Sequence, residues 1–161
     1  FLMILITLGT QDKQFKRLLD LVQEQIDKKN IKDKVIVQAG YTKYESNDME
    51  IFDLIDRQKF GELINECDIL ITHGGVGSII NGLQHNKKVI VVPRLAKYDE
   101  HMNDHQLQIT DNFAKAGYII PLYETDDLAK KLKDINAFKP KKFKSNTDNI
   151  VKVIENFIDN N

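Results

Sequence analysis

Residues 68–94 read DILITHGGVGSIINGLQHNKKVIVVPR, and this stretch decides the fold. The apolar run Ile69 to Thr72 predicts a strand that stops at the turn His73-Gly74-Gly75-Val76-Gly77-Ser78, with a short helix after it and a second buried strand at Val89 to Val92. In a strand, turn, helix, strand unit the first N–H groups of the helix lack partners within it and carry the positive end of its dipole. An anion can sit there, and we read the turn as a seat for a nucleotide diphosphate. A side chain at Gly74, Gly75 or Gly77 would hold the backbone away from a phosphate, while Ser78 can add a hydroxyl donor. The competing reading is a tight turn needed only for packing.

Two familiar nucleotide patterns do not fit. No Gly-Lys-Ser/Thr follows, so this is not a Walker A loop. Counting the dinucleotide fingerprint from Gly75 puts Ile80 where the third glycine belongs.

Upstream of the unit, Met3 to Leu8 predicts a first strand that ends at Gly9-Thr10-Gln11-Asp12, with Thr10 facing any ligand. Asp12 is expected to cap a helix that buries Phe15, Leu18, Leu19, Val22 and Ile26. Val35 to Ala39 predicts strand two, GYTKYESND (residues 40–48) a long polar loop and candidate cleft wall, and Ile51 to Ile55 a short strand three. A helix from about Asp56 to Glu66 turns Phe60, Leu63 and Ile64 inward.

Downstream of Pro93 come a charged loop, a helix from about Glu100 to Ala116, a glycine stop at Gly117 and a strand from Tyr118 to Ile120. Thr125 is expected to cap a helix carrying Leu128, Leu132 and Ile135, and Ile150, Val153, Ile154, Phe157 and Ile158 mark a terminal helix. Alternating strands and helices with near-continuous apolar strands predict an α/β domain over residues 1–161, a Rossmann-like doubly wound parallel sheet covered on both faces. Ligands of such sheets lie outside the carboxyl ends of the strands, so the loops at Thr10, His73 and Arg94 are expected on one rim.

Composition limits the partners. The chain has 161 residues, 42% hydrophobic and 29% charged, which suits an ordinary globular domain. Lys+Arg 23 against Asp+Glu 24 leaves a net charge of -1, without the basic field that nucleic-acid binding needs. The single cysteine, Cys67, cannot form an internal disulfide and points to a reducing compartment. The apolar run from Leu2 to Leu8 is too short to span a bilayer.

Together, HGGVGS, VIVVPR and EHMNDHQ resemble the donor-binding half of GT-B glycosyltransferases of family 28, and the resemblance covers nearly the whole chain. The opening MILITLGTQDKQFKRLLDLV is similar to the start of the short members. Among these are small bacterial capsule and exopolysaccharide enzymes, similar in turn to the catalytic subunit of the eukaryotic two-chain enzyme that adds the second N-acetylglucosamine to the dolichol-linked oligosaccharide. The resemblance implies a UDP-sugar donor, inversion at the anomeric carbon and a polyprenyl-diphosphate-linked acceptor. It also implies a membrane-anchored partner chain that supplies the acceptor half, holding this chain at the cytoplasmic face of the plasma membrane.

The resemblance carries donor binding to Gly74, Gly75, Gly77 and Ser78 of the glycine loop and to Asn103, Asp104, His105 and Gln106 of the Asp-His-Gln segment. His73 and Val76 lie in the same loop, and Arg94 and Glu100 in the connection between the two segments. Many relatives have a carboxylate on the ribose hydroxyls where this chain has Asn81, which can still hydrogen-bond them, although a carboxylate would accept from both at once.

No catalytic base is assigned. His73, at the mouth of the site, is either a base or a hydrogen-bonded structural histidine, and the acceptor half can supply the base instead. The donor is a substrate, and no metal or other cofactor is expected, because backbone amides from Gly75 to Ser78 can hold the diphosphate and no Asp-x-Asp pair is present. His101 and His105 stand four apart as zinc ligands on a helix can, but Met102 replaces the metalloprotease glutamate. Asp104 and Glu100 can equally serve only the helix dipole. Lys139, Lys141, Lys142 and Lys144 form a basic run, read as a solvated linker or as a contact for anionic headgroups. A noncatalytic nucleotide-sugar-binding module is the alternative to an enzyme subunit.

Overall fold

The computed structural model describes residues 2–143. Six strands form one sheet: β1 (Met3–Thr7), β2 (Lys34–Gln38), β3 (Glu50–Phe52), β4 (Ile69–His73), β5 (Lys88–Val92) and β6 (Ile120–Pro121). Their order is β3-β2-β1-β4-β5-β6, and every neighbouring pair is parallel. The chain winds outward from β1 to β3, then returns to the middle and winds the other way from β4. The order therefore reverses between β1 and β4, and at that reversal the loops leaving two adjacent strands diverge to opposite faces and open a crevice.

Five helices cover the sheet: α1 (Lys16–Asp27), α2 (Arg57–Glu66), α3 (Val76–Gln84), α4 (His105–Lys115) and α5 (Leu128–Ala137). Strand alternation divides the core in two. Ile4 and Ile6 of β1 pack with Leu18, Leu19 and Val22 of α1 and with Leu128 and Ile135 of α5. Met3 and Leu5 face the other way, into the cluster built by Leu63 and Ile64 of α2, Ile79 and Leu83 of α3, and Ile109 and Phe113 of α4. Each buried aliphatic side chain contributes roughly 1.5–3 kcal/mol, so two filled faces hold this sheet without a disulfide. Cys67 is buried, and burial pushes its thiol up to about 11.

α3 has nine residues, too few to persist alone, and it is held by how closely it lies on the sheet. A Cβ built on Gly82 would stand 2.6 Å from Leu70 Cδ2 and 3.0 Å from Val89 Cγ2. The close-packing glycine missing at Ile80 is thus present two residues later.

Several local expectations are corrected. α1 begins at Lys16, and Asp12 does not cap it; Thr42 Oγ1 accepts the Phe15 N–H at 3.0 Å instead. The polar loop after β2 lies along α1, where Gln14 Nε2 donates to Tyr41 O and Ser46 Oγ to Gln23 Oε1, and so does not wall a cleft. Strand three is Glu50–Phe52, shorter than Ile51 to Ile55. The helix placed from Glu100 starts at His105, because residues 100–104 turn through bends fixed by their own side chains. The last strand begins at Ile120, and Asp127, not Thr125, caps α5 by accepting the Ala129 N–H. Asp56 caps α2 as its spacing predicts, accepting the Lys59 N–H. The terminal helix and Lys144 lie outside the described residues; Lys139, Lys141 and Lys142 follow α5 without regular structure. Among the described residues no helix is long and apolar enough to cross a membrane.

Candidate functional site

A cleft of about 470 Å³ opens at the carboxyl ends of β1 and β4, where the strand order reverses. Thr7, Gln38 and His73, at the ends of three strands, contribute its floor. The β1–α1 turn gives it Gly9, Thr10 and Gln11, and the start of α3 gives it Gly75, Gly77, Ser78 and Asn81. A less polar wall comes from Leu54, Ile55, Arg57 and Phe60, between β3 and the first turns of α2. Thr10, His73, Gly75, Gly77, Ser78 and Asn81 were all candidates from sequence. Gln11 belongs to the turn that was expected to face a ligand; Thr7 was not a candidate, nor were Gln38 and the Leu54–Phe60 wall, since only the strand order shows that β2 and β3 end beside β1.

The glycines of the turn have different jobs. A Cβ on Gly74 would lie 2.8 Å from Gln106 Cβ and 2.9 Å from Gln106 O, and one on Gly75 would lie 2.4 Å from His73 Cε1. At both the protein itself presses on the Cβ position, which is the packing reading of the turn, although Gly75 also lines the cleft. Gly77 is different: nothing lies within 4 Å of its Cβ direction, and it is exposed on the cleft. Gly9, with φ +78, belongs to the first kind, since a Cβ there would stand 2.5 Å from His73 Nε2.

The first backbone bond of α3 runs from Ile79 N to Gly75 O at 3.1 Å. The amides of Val76, Gly77 and Ser78 therefore precede the helical ladder and stand at the positive end of the helix. Val76 packs against the core cluster and is not among the residues that line the cleft. Ser78 Oγ is 3.4 Å from His73 Nε2. Burial, and secondarily the Arg94 guanidinium, push the His73 imidazolium down to about 3, so the ring is neutral at ordinary pH. Backbone amides, a hydroxyl and a neutral imidazole around one open position make a set that can hold an anion.

The other candidates do not line the cleft, and several are turned inward. Arg94 is 1% exposed; its Nη1 donates to Lys13 O and Glu100 O at 2.9 Å each, its Nη2 donates to Leu8 O at 2.6 Å, and its guanidinium carbon lies 5.0 Å from the Phe15 ring centroid. Burial lowers its pKa to about 10. Glu100 is 3% exposed and receives Arg17 through two bonds of 2.9 Å and the Leu95 N–H at 3.0 Å. Asn103 Oδ1 accepts the His105 N–H and Asp104 Oδ1 the Ala96 N–H, so both brace the loop. Gln106 is buried, its Oε1 accepting from Gly74 N at 2.9 Å and Arg94 N at 3.0 Å and its Nε2 lying 3.1 Å from His73 Nδ1. None of these residues lines the cleft, and neither does His105, which opens α4 half-buried. His101 sits in the bends before α4, so the two histidines do not share a helix. Among the described residues no three His, Cys, Asp or Glu side chains converge as a metal-binding group.

Comparison with known proteins adds the family. The model of the glycosyltransferase family 28 C-terminal domain matches residues 3–160. Over 124 residues the chain is 32% identical to the UDP-N-acetylglucosamine transferase subunit ALG13 of Debaryomyces hansenii, a match covering 77% of this chain and 54% of that protein. It thus spans about half the length of that relative. The NMR solution structure of ALG13 superposes with a TM-score of 0.58 at 24% identity, covering 88% of this chain and 89% of that one. The calicheamicin glycosyltransferase CalG4 gives 0.61 at 12% identity, covering 96% of this chain but 37% of that one. At these identities the structural likeness speaks for the fold, a Rossmann-like lobe of the GT-B kind.

Proposed function

Because this chain belongs to the glycosyltransferase family 28 C-terminal domain family, we propose that it is the donor-binding, catalytic subunit of an inverting UDP-sugar glycosyltransferase. The observation that carries this reading is the open position at Gly77, where the leading amides of α3, Ser78 Oγ and His73 face one cleft at the strand-order reversal. The diphosphate lies over Gly77, with the nucleoside against the Leu54–Phe60 wall and Asn81 toward the ribose.

In the reaction an acceptor hydroxyl attacks the anomeric carbon from the side opposite UDP. The bond from that carbon to the β-phosphate oxygen breaks, and its electron pair stays on the phosphate. Donors fixed before that charge develops stabilise it without reorganising, and here they do the work a metal ion does elsewhere. The hydroxyl proton goes to a base that we assign to the partner chain, since burial holds His73 down to about 3 and makes its ring a weak base.

The relative's name, a transferase subunit, supports N-acetylglucosamine as the sugar and a second chain as partner. We propose that the partner is a membrane-anchored acceptor-binding subunit, that the acceptor is a polyprenyl-diphosphate-linked saccharide of capsular or exopolysaccharide synthesis, and that the complex works at the cytoplasmic face of the plasma membrane. Calorimetry with UDP, UDP-N-acetylglucosamine and UDP-glucose tests the donor site; no binding of any of them ends the proposal. Transfer to a lipid-linked acceptor, measured with and without the partner chain, separates a catalytic subunit from a noncatalytic binding module. Product from this chain alone would remove the partner from the mechanism.

A further inference from the structure

We infer that Gln106 is a positioning residue that holds His73 in its Nε2–H tautomer, making the histidine a fixed hydrogen-bond donor toward the cleft. The inference follows from counting donors and acceptors. Gln106 Oε1 accepts from Gly74 N at 2.9 Å and from Arg94 N at 3.0 Å. Backbone amides can only donate, so the oxygen of the side-chain amide is identified by its neighbours, and both of its lone pairs are taken. The group 3.1 Å from His73 Nδ1 is therefore the NH₂ end, which can only donate. Nδ1 must be the bare nitrogen of a neutral ring, and the ring proton sits on Nε2. Nε2 points to Ser78 Oγ at 3.4 Å and to the space beside Gly9 and Gly75 that excludes a Cβ from either.

The consequence is directional. A bare Nε2 would repel a phosphate oxygen and invite a proton, whereas a protonated Nε2 donates to that oxygen and cannot take a proton from an acceptor. Because Gln106 also ties the end of β4 to the start of α4 and to the residues after β5, the ring is fixed in orientation as well as in proton position. The sequence marks Gln106 as a ligand contact; its role here is exerted through His73. The assignment of the proton stands on the protein alone, while the use of Nε2 toward a diphosphate rests on the function proposed above.

Long-range proton–nitrogen correlation spectra of the nitrogen-15-labelled, ligand-free protein read the tautomer directly. The expected pattern is an unprotonated Nδ1 and a protonated Nε2 on His73; a proton on Nδ1 overturns the inference. In Gln106→Glu the carboxylate still accepts both backbone amides but cannot donate, so Nδ1 is expected to become protonated, and a bare Nδ1 there would also overturn it. Because the wild-type spectrum decides first, the inference stays falsifiable even if the variant fails to fold. Titration with UDP then tests the use of the proton: the His73 Nε2 resonance is expected to shift with saturation while Nδ1 stays. Binding seen by calorimetry without a shift at Nε2 would refute the donor role. Absence of UDP binding would instead refute the proposed function and leave the tautomer standing.

Discussion

The two halves of the rim make opposite use of polar residues. Beside β1 and β4, the turn at Gly9 and the start of α3 leave backbone amides, Ser78 and one edge of His73 facing a cleft. Beside β5, the loop from Arg94 to Gln106 is as rich in polar groups, yet Arg94, Glu100 and Gln106 are all at most 4% exposed and bonded to backbone, to Arg17 or to His73, with Arg94 Nε alone of their side-chain donors left unpaired among the described residues. Residue type alone does not separate them. The lesson is that a binding surface keeps donors unspent, whereas a scaffold spends them, because a buried polar group without a partner costs about 1–3 kcal/mol.

The largest test of this contrast is on the spent side. Arg94→Met leaves the carbonyls of Leu8, Lys13 and Glu100 without their donor, and is expected to lower stability by about 3 kcal/mol in urea unfolding. A loss of UDP binding with unchanged stability would instead move Arg94 to the ligand.

On the unspent side, Gly77→Val adds a side chain that the protein has room for and a ligand does not. UDP affinity is expected to fall about a hundredfold, or about 2.7 kcal/mol, with the unfolding midpoint nearly unchanged. Gly75→Val is the poorer probe, because its Cβ strikes the His73 ring before it meets any ligand.

His73 belongs to both halves, and acid probes its buried side. Its folded value near 3 lies below the ordinary 6.5, so the unfolded chain takes up a proton that the folded ring refuses. This contribution to stability is complete above about pH 6.5 and drains as the pH falls from there toward 3, at about 1.4 kcal/mol per unit. Between pH 7 and pH 5 the wild type is expected to lose about 2 kcal/mol more than His73→Asn in paired urea titrations. Equal losses would mean that the ring is less buried than its position indicates.

The smallest effect is expected where the rim carries an exposed ion pair. Lys13 Nζ meets Asp99 at 2.8 Å across the same two loops, but the Asp99 side chain is 89% exposed. Lys13→Ala is expected to leave both the unfolding midpoint and UDP affinity within experimental scatter.

By itself the sequence determined the architecture and where a turn of exposed amides falls between β4 and α3. Apolar runs such as Leu70–Ile71 and Val89–Val92 can be buried on both faces only in a sheet covered twice, and a turn rich in glycine between strand and helix exposes amides wherever it occurs. The family likeness, too, was legible in the glycine loop and the Asp-His-Gln segment, and the family match extends across nearly all of the chain. What only the tertiary structure decided was the direction in which side chains point. Gly74 and Gly77 are the same letter, but one is pressed by Gln106 and the other opens on the cleft. Arg94 and Gln106 stand in a motif that suggests a ligand, yet partners up to 86 residues away claim their hydrogen bonds. The physical reason is range: helix, strand and turn are set by neighbours in the chain, whereas whether a polar group is spent depends on elements brought against it by the fold.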